Sequence, residues 1–312
     1  MNTPLFKSLN FKFTSLLLAS FIIISCQNHK KKETSTKTET VSKTNTETSH
    51  FGGLALYTLS EAMNNDAETT LKMVAEDGYA YVEAAGYKEG KFYNMTPADF
   101  KSFLNTIELK PVSTHQGTVT LENVDQIIAD VKAAGFEYFV IPVPPMGMFT
   151  FNLESKTMGM NGTVEELSKI LTTLGEKCDA AGLKLLYHNH DFEFKKNTDG
   201  IIPIEYLLEN TDPKLVNFQM DLFWVTKAGA DPVAYFNKYP GRFKLWHVKD
   251  MDSEGRFAPV GEGSIDFKRI LAEKEKSGME YYFVEQDQTF NETPLEAIKI
   301  SHKGLEELGF QQ

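Results

Sequence analysis

Four side chains that can bind a metal ion each lie at the end of an apolar stretch. They are His188 in LKLLYHNHDFEF, Asp221 in VNFQMDLFW, His247 in FKLWHVKDM and Glu285 in EYYFVEQD. The intervals between them, roughly 25 to 40 residues, are about the length of one strand–helix unit, so the four predict a shared site at one end of a parallel β-barrel. Two imidazoles and two carboxylates suit one divalent ion, Mn²⁺, Zn²⁺, Co²⁺, Fe²⁺ or Mg²⁺, better than Ca²⁺, which takes only oxygen ligands.

The spacing within two of these stretches adds further reactive groups to the predicted site. Successive side chains of a strand point to opposite faces, so residues two apart share a face. His190 is therefore expected on the same side as His188, and Lys249 on the same side as His247.

Structural roles compete with metal binding for the two carboxylates. A carboxylate at the end of a buried strand needs a partner to offset its desolvation. For Asp221 the alternative partners are the N-terminus of a helix or an arginine, and for Glu285 the alternative is an ion pair with Lys249.

Strand-like and helix-like segments alternate along the chain after residue 50. Helix starts show capping-box spacing at Thr163 with Glu166 and at Thr293 with Glu296. Strict alternation favours an all-parallel sheet, and eight units in about 260 residues favour a single α/β domain, a (β/α)8 TIM barrel over residues 51–312. The predicted strands are Gly53–Leu59, Tyr79–Ala84, Lys110–Thr114, Phe136–Val143, Leu183–His188, Val216–Met220, Phe243–Val248 and Tyr281–Glu285.

The first 50 residues are predicted to be a targeting segment and a tether, and not part of the folded domain. An apolar run from Leu16 to Ile24 ends in Ile23-Ile24-Ser25-Cys26. This end resembles a bacterial lipobox, which implies a signal peptide over residues 1–25 and lipidation of the Cys26 thiol, and the run is too short for a comfortable transmembrane helix. The alternatives are an ordinary secretory signal or an uncleaved anchor. Residues 26–50 are almost wholly polar and predict a disordered tether, so the protein is expected on a membrane through its lipid, facing the periplasm or the cell surface.

Charge and cysteine content limit the partners. The formal net charge is −11, and removal of residues 1–25 takes away Lys7 and Lys12 and no acidic residue, which makes it −13. Such a charge repels phosphates, so no nucleic acid partner is expected. Once Cys26 carries lipid, Cys178 is the only remaining cysteine, so no intramolecular disulfide is expected.

Four segments together resemble the xylose-isomerase-like sugar phosphate isomerase/epimerase superfamily of metal-dependent barrels. They are YHNHDFEF, QMDLFW followed by AGADP, GRFKLWHVKD and FVEQD. The resemblance covers nearly all of the chain after residue 50. It implies a divalent metal ion at the ends of strands five to eight, held here by His188, Asp221, His247 and Glu285. It also implies that Lys249 faces the substrate.

The chemistry of this superfamily implies roles for further residues. Its members commonly abstract a proton next to a carbonyl or hydroxyl group held on the metal, giving isomerisation, epimerisation or dehydration. The expected base is Glu285 or His190, with Lys249 stabilising the oxyanion. Glu83 at the end of strand two and His115 after strand three are expected to contact the substrate.

The expected substrate is a small carbohydrate. Trp224 and the loop 142–149 offer apolar surface on which a sugar ring can stack. Trp246 alternates with His247 along its strand, so it is expected to point away from the site and toward the helices.

Two positions depart from the superfamily pattern. Many members have a strand-five glutamate where this chain has His188, and many have a histidine where it has Trp224. Loss of one carboxylate leaves the metal a stronger Lewis acid. Inversion of a stereocentre normally needs two bases on opposite faces, whereas isomerisation or β-elimination needs one base and an acid. Glu193 is the alternative carboxylate for the strand-five position.

The sequence therefore predicts a metal-dependent sugar isomerase or epimerase, with elimination from a 3-keto-glycoside as the alternative. An extracytoplasmic location suits glycosides better than sugar phosphates. Two hypotheses come from other classes: a carbohydrate-binding lipoprotein that has lost catalysis, and a nuclease resembling the abasic-site endonucleases of the superfamily. The charge of −13 and Trp224 argue against the nuclease.

Overall fold

The computed structural model describes residues 50–311, and within them eight parallel strands close into a barrel. Each strand pairs with its neighbours along the chain, and the first closes the barrel by pairing with the last, where Gly53 lies opposite Phe283. This arrangement confirms the predicted fold. The barrel strands are β1 Gly53–Ala55, β2 Tyr81–Ala84, β3 Lys110–His115, β4 Tyr138–Ile141, β5 Lys184–His188, β6 Val216–Asp221, β7 Phe243–Val248 and β8 Tyr281–Val284.

Two strands end two or more residues before their predicted last residue. The first stops at Ala55, and Leu56–Leu59 forms a 3-10 helix that buries Leu56 and Leu59, three residues apart on one face, while Tyr57 stays exposed. The fourth stops at Ile141 because Pro142 has no backbone N–H to donate to the sheet. The predicted signal peptide, Cys26 and nearly all of the predicted tether lie outside the described residues.

Eleven helices are described in residues 50–311, and most begin at a side-chain cap. Thr163 and Thr293 form capping boxes with Glu166 and Glu296, as the spacing predicted. The helices are α1 Ser60–Asn65, α2 Ala67–Glu76, α3 Pro97–Thr106, α4 Val124–Ala133, α5 Val164–Ala180, α6 Pro203–Asn210, α7 Leu222–Lys227, α8 Pro232–Lys238, α9 Phe267–Leu271, α10 Lys274–Ser277 and α11 Pro294–Leu308. None of the helices in this part of the chain is both long enough and apolar enough to span a membrane.

Three short hairpins follow barrel strands. One of them, Phe149–Asn152 paired with Thr157–Met160, follows β4 and contributes Phe149 and Met158 to the wall of a cavity described below. The other two pair Tyr87–Lys88 with Lys91–Phe92 and Asp250–Met251 with Phe257–Ala258.

Apolar side chains form two layers that hold the site in place. A large outer layer lies between the strands and the helices, and it includes Trp246, whose ring stacks on Phe236 of α8 at 5.2 Å, which confirms its predicted direction. A small inner cluster fills the barrel interior: Ala55, Val112, Tyr138, Val140, Leu186, Leu245 and Phe283.

The inner cluster explains why the polar residues of the barrel interior lie near the C-terminal ends of the strands. His188 follows Leu186 by two residues on β5, and His247 follows Leu245 by two on β7. Because residues two apart share a face, these histidines continue the inward rows above the apolar cluster. The barrel is therefore filled below and polar at the C-terminal ends of its strands.

Candidate active site

A cavity of about 310 Å³ opens at the C-terminal ends of the strands. This is the end at which barrel enzymes bind their substrates, and the volume falls at the lower end of the range of small-molecule sites. Its walls come from the last residues of strands three and five and from the segments that follow strands one, four, five, six, seven and eight. The lining residues are Tyr57, His115, Pro142, Val143, Phe149, Met158, His188, His190, Trp224, Lys249, Glu285 and Asp287.

The four predicted metal ligands converge beneath this cavity. Asp221, His247 and Glu285 bring ligand atoms within 4.8 Å of one another. The Nδ1 atom of His247 is 2.7 Å from Glu285 Oε2 and 4.0 Å from Asp221 Oδ2. The Nε2 atom of His188 lies 3.7 Å from the same Asp221 oxygen. All four side chains are buried.

The two oxygens of Asp221 have different surroundings. Oδ1 accepts a hydrogen bond from the backbone N–H of Trp224 at 2.9 Å and so caps α7. Oδ2 is buried and forms an ion pair with Lys249, whose Nζ atom is 2.9 Å away, and it has no other partner within the described chain. A buried carboxylate oxygen beside imidazole nitrogens fits a divalent cation, and the predicted helix cap coexists with that role.

The side-chain amide of Gln219 fixes the ring orientation of His188. Its nitrogen donates to Glu83 Oε2 at 2.7 Å, so its oxygen is the acceptor for the two histidines beside it. That oxygen accepts from His188 Nδ1 at 2.9 Å and from His115 Nε2 at 2.8 Å. The hydrogen of neutral His188 is therefore on Nδ1, and the Nε2 lone pair faces Asp221.

Glu83 contacts His247, the other histidine among the predicted metal ligands. Its Oε1 atom is 2.5 Å from His247 Nε2 and 3.0 Å from His115 Nε2, and its Oε2 atom accepts from Ser113 at 2.5 Å. Burial raises the pKa of Glu83, but His115 and His247 together hold it well below its usual range. A carboxylate on the far nitrogen of a metal-binding histidine fixes its tautomer, so Nδ1 of His247 is directed at Asp221 and Glu285.

This position corrects the prediction that Glu83 contacts the substrate. The side chain is 1% exposed and is not among the residues that line the cavity. Glu83 does lie near the end of β2, as predicted, but its carboxylate reaches across the barrel interior to His247 instead of up to the rim. His115, predicted for the same role, does line the cavity.

Lys249 lies among three carboxylates. Its Nζ atom is 2.9 Å from Asp221, 2.5 Å from Glu285 and 2.8 Å from Asp287. Burial lowers the pKa of Lys249, but the three carboxylates raise it well above its usual value, so the side chain is an ammonium ion. The ion pair of Lys249 with Glu285 is present as the predicted alternative, and both residues also line the cavity.

Comparisons with known proteins identify the family of the chain. A family model described as xylose isomerase-like TIM barrel matches residues 71–307. The chain belongs to this family. An inosose dehydratase of Clostridium tetani is 28% identical over 261 residues, which cover 72% of this chain and 86% of that protein.

Solved structures give the same result for the fold. A sugar phosphate isomerase/epimerase from Parabacteroides distasonis is 28% identical with a TM-score of 0.70, covering 84% of this chain and 95% of that one. The IOLI protein with a bound zinc atom is 17% identical with a TM-score of 0.62, covering 82% and 96%, and shows the fold alone. The protein is therefore a sugar-modifying enzyme of the xylose isomerase-like family, as predicted at that level.

Two predicted site residues, His190 and Trp224, lie side by side in the cavity wall with ring centres 5.6 Å apart. Burial, with Lys249 nearby, lowers the pKa of His190 to about 3. His190 is thus a neutral and weakly basic imidazole. Within the described chain neither His190 Nδ1 nor Trp224 Nε1 has a hydrogen-bond partner, so both are free for a ligand.

Glu193 does not replace the missing strand-five carboxylate. It is fully buried and lies behind the site, where it accepts hydrogen bonds from the Tyr187 hydroxyl at 2.8 Å and from the backbone N–H of His190 at 2.9 Å. The 3-10 helix Phe192–Phe194 turns its side chain away from the cavity. Burial raises the pKa of Glu193 to about 8.

The sequence analysis missed two residues of the site. Gln219 shares a face with Asp221 by the period-two rule, and a polar residue inside the strand VNFQMD was the available indication. Asp287 lies two residues after Glu285, lines the cavity and is 21% exposed at its side chain. Both residues are two positions away from a predicted metal ligand.

Proposed function

We propose that the protein is a divalent-metal-dependent lyase that removes a proton next to the carbonyl group of a neutral keto-sugar and then eliminates a β-oxygen substituent. One observation carries this choice. Among the lining residues, all within the described chain, the only carboxylates are Glu285 and Asp287, and both lie within three residues after β8. Inversion of a stereocentre needs bases on two faces of the sugar, whereas elimination needs one base and an acid.

The ligand set for the metal is Asp221, His247, Glu285 and His188. The buried Oδ2 atom of Asp221, the Nε2 lone pair of His188 and the fixed tautomer of His247 support it. A divalent ion bound there supplies positive charge to a carbonyl oxygen of the substrate. The bound zinc of the IOLI protein, a neighbour in fold, is consistent with such a site.

Asp287 is the base that the geometry favours. It is more exposed to the cavity than Glu285, whose side chain is 4% exposed and contacts both His247 and Lys249. The C–H bond next to the carbonyl breaks, its proton goes to Asp287, and its electron pair forms the enolate. Lys249 lies beside this position and stabilises the negative oxygen.

The second half of the reaction regenerates the carbonyl group. As the C=O bond reforms, the β C–O bond breaks and the departing oxygen takes a proton from Lys249 or from protonated Asp287. The products are an unsaturated ketone and water or an alcohol, with no change in oxidation state. The name of the inosose dehydratase that matches over most of its length supports elimination.

The charges in the cavity favour a substrate without phosphate. Lys249 is the only lysine or arginine among the lining residues, all within residues 50–311, and three carboxylates already surround it. Phosphate recognition normally uses free arginine or lysine side chains. We therefore assign the protein a neutral sugar, although the Parabacteroides distasonis neighbour is named for a sugar phosphate.

The test is NMR of the metal-loaded protein with keto-sugars in D₂O. Elimination is expected to give a vinyl proton and an alcohol or water, and Asp287→Asn is expected to lower turnover about 10²–10⁴-fold while bound metal is retained. Asp191→Asn is the matched control, because Asp191 is similarly exposed at 19% and also pairs with a lysine. Deuterium exchange with inversion and no vinyl proton would instead establish an epimerase. Sugar binding without any exchange would establish the non-catalytic binding protein.

We also propose that the protein is a lipoprotein anchored through Cys26. The lipobox-like end of the apolar run supports this location, and a neutral substrate is compatible with it.

A further inference from the structure

A second concavity of about 490 Å³ lies beside the catalytic cavity. It is formed by the loop after β3 and by two residues of the loop after β4. We call it the side groove. Its lining residues are Gly117, Thr118, Val119, Thr120, Leu121, Glu122, Met146 and Gly147.

The side groove and the catalytic cavity are lined by different residues of the same two segments, those at and after the ends of β3 and β4. On one wall, His115 lines the cavity and Gly117, two residues later, lines the groove. On the other, Pro142 lines the cavity and Met146 lines the groove. A Cβ atom added to Gly117 would lie 3.4 Å from Pro142 Cγ, an ordinary van der Waals contact, so the loops after β3 and β4 approach each other at this junction and a larger side chain would fill it.

The lining of the side groove suits a neutral ring. Glu122 is its only ionisable side chain, so it offers no cation for a phosphate. Leu121 is 47% exposed and, with Met146, presents apolar surface for a ring face, while Thr118 offers a hydroxyl group. Met146 has a φ of +58°, a backbone conformation that non-glycine residues rarely adopt and that is often found at functional sites.

We propose that the side groove binds a second neutral ring of the substrate, attached through the oxygen that departs in the elimination. The substrate is then a two-ring keto-glycoside, with the keto-sugar in the catalytic cavity and the alcohol portion in the groove. This inference rests on the proposed lyase function. It adds the size of the substrate and the residues that select it.

The experiment compares methyl and phenyl 3-ketoglucosides, each as both anomers, with the metal-loaded full chain. The two probes differ in whether a second ring is present. The phenyl-to-methyl ratio of kcat/KM in each variant is divided by the wild-type ratio, which cancels the difference in leaving-group chemistry.

Leu121→Ser and Gly117→Val change the groove and its junction, respectively. Leu153→Ser is the control, because Leu153 is an exposed leucine in the hairpin after β4 and lines neither concavity. We expect Leu121→Ser to lower the ratio about three- to tenfold through lost apolar contact, Gly117→Val to lower it at least as much, and Leu153→Ser to leave it unchanged. Turnover of the methyl glycoside is expected to stay within about twofold in all three.

The possible failures are distinguishable. An unchanged ratio in both groove variants, with the methyl glycoside turned over, would overturn the subsite and leave the lyase in place. Absence of deuterium exchange and of elimination with the methyl glycoside in wild type would overturn the lyase and the subsite together. Equal losses for both probes in Leu121→Ser would show that the groove acts on catalysis instead of on the second ring.

Discussion

The carboxyl group of Glu193 makes the stability of the barrel depend on pH. The pKa of this group is about 8 in the folded protein because the side chain is fully buried, against 4.5 for an accessible glutamate. Between these two pH values the folded protein keeps a proton that the unfolded chain has released. Stability therefore falls as the pH rises through this interval.

The magnitude follows from the two pKa values. The free energy of unfolding falls by up to about 1.4 kcal/mol per pH unit, and the whole interval from 4.5 to about 8 amounts to at most about 5 kcal/mol. The contribution is fully present below pH 4.5 and is lost by about pH 8. Glu193→Gln keeps the shape of the neutral carboxyl group and cannot ionise, so it is the matched variant.

Urea denaturation of both proteins from pH 4 to pH 9 measures the effect. The other titrating groups are common to the two proteins and cancel in the difference of their unfolding free energies. We expect wild type to lose stability relative to Glu193→Gln as the pH rises, with the variant the more stable at pH 8. Parallel curves across the range would refute the argument, because they would mean that Glu193 ionises equally in the folded and unfolded states.

A second variant tests the local cause. The Tyr187 hydroxyl donates to Glu193 and lowers the pKa of its carboxyl group. Tyr187→Phe is expected to move the loss of stability to higher pH. A shift to lower pH would contradict the direction assigned to this hydrogen bond.

Three further outcomes are expected. Asp221→Asn and His247→Ala should each reduce bound metal, since a site with four protein ligands tolerates few deletions, and elemental analysis showing full stoichiometry in both would place the site elsewhere. His188→Glu should slow elimination, because added negative charge weakens polarisation of the carbonyl group; faster release of the alcohol, followed by NMR, would contradict this reasoning. Cys26→Ser should not be lipidated, and labelled palmitate still incorporated into that variant would exclude the lipobox.

Much of the fold could be predicted from local pattern. Alternating strand and helix segments gave the order and number of the barrel strands, since parallel neighbours need a crossover between them. The positions of His188 and His247 two residues beyond inward-facing leucines also fixed their face and approximate height. The predicted strand ends were wrong at Pro142, whose missing N–H could have been read from the sequence, and at Leu56–Leu59, where burial at a spacing of three favoured a 3-10 helix.

The contacts across the barrel interior were decided only by the tertiary structure. Periodicity gives the face of a strand on which a residue lies, but not the residue that it meets on a strand elsewhere in the barrel. Glu83 and His247 are 164 positions apart, yet they form a buried hydrogen bond that makes Glu83 a support for the proposed metal ligand His247, and Glu83 does not line the cavity. Glu193, five residues after His188, turns toward Tyr187 because a single turn of 3-10 helix redirects it. The sequence determined which side chains reach the C-terminal end of the barrel, and closure of the barrel decided which of them bind one another and which face the cavity.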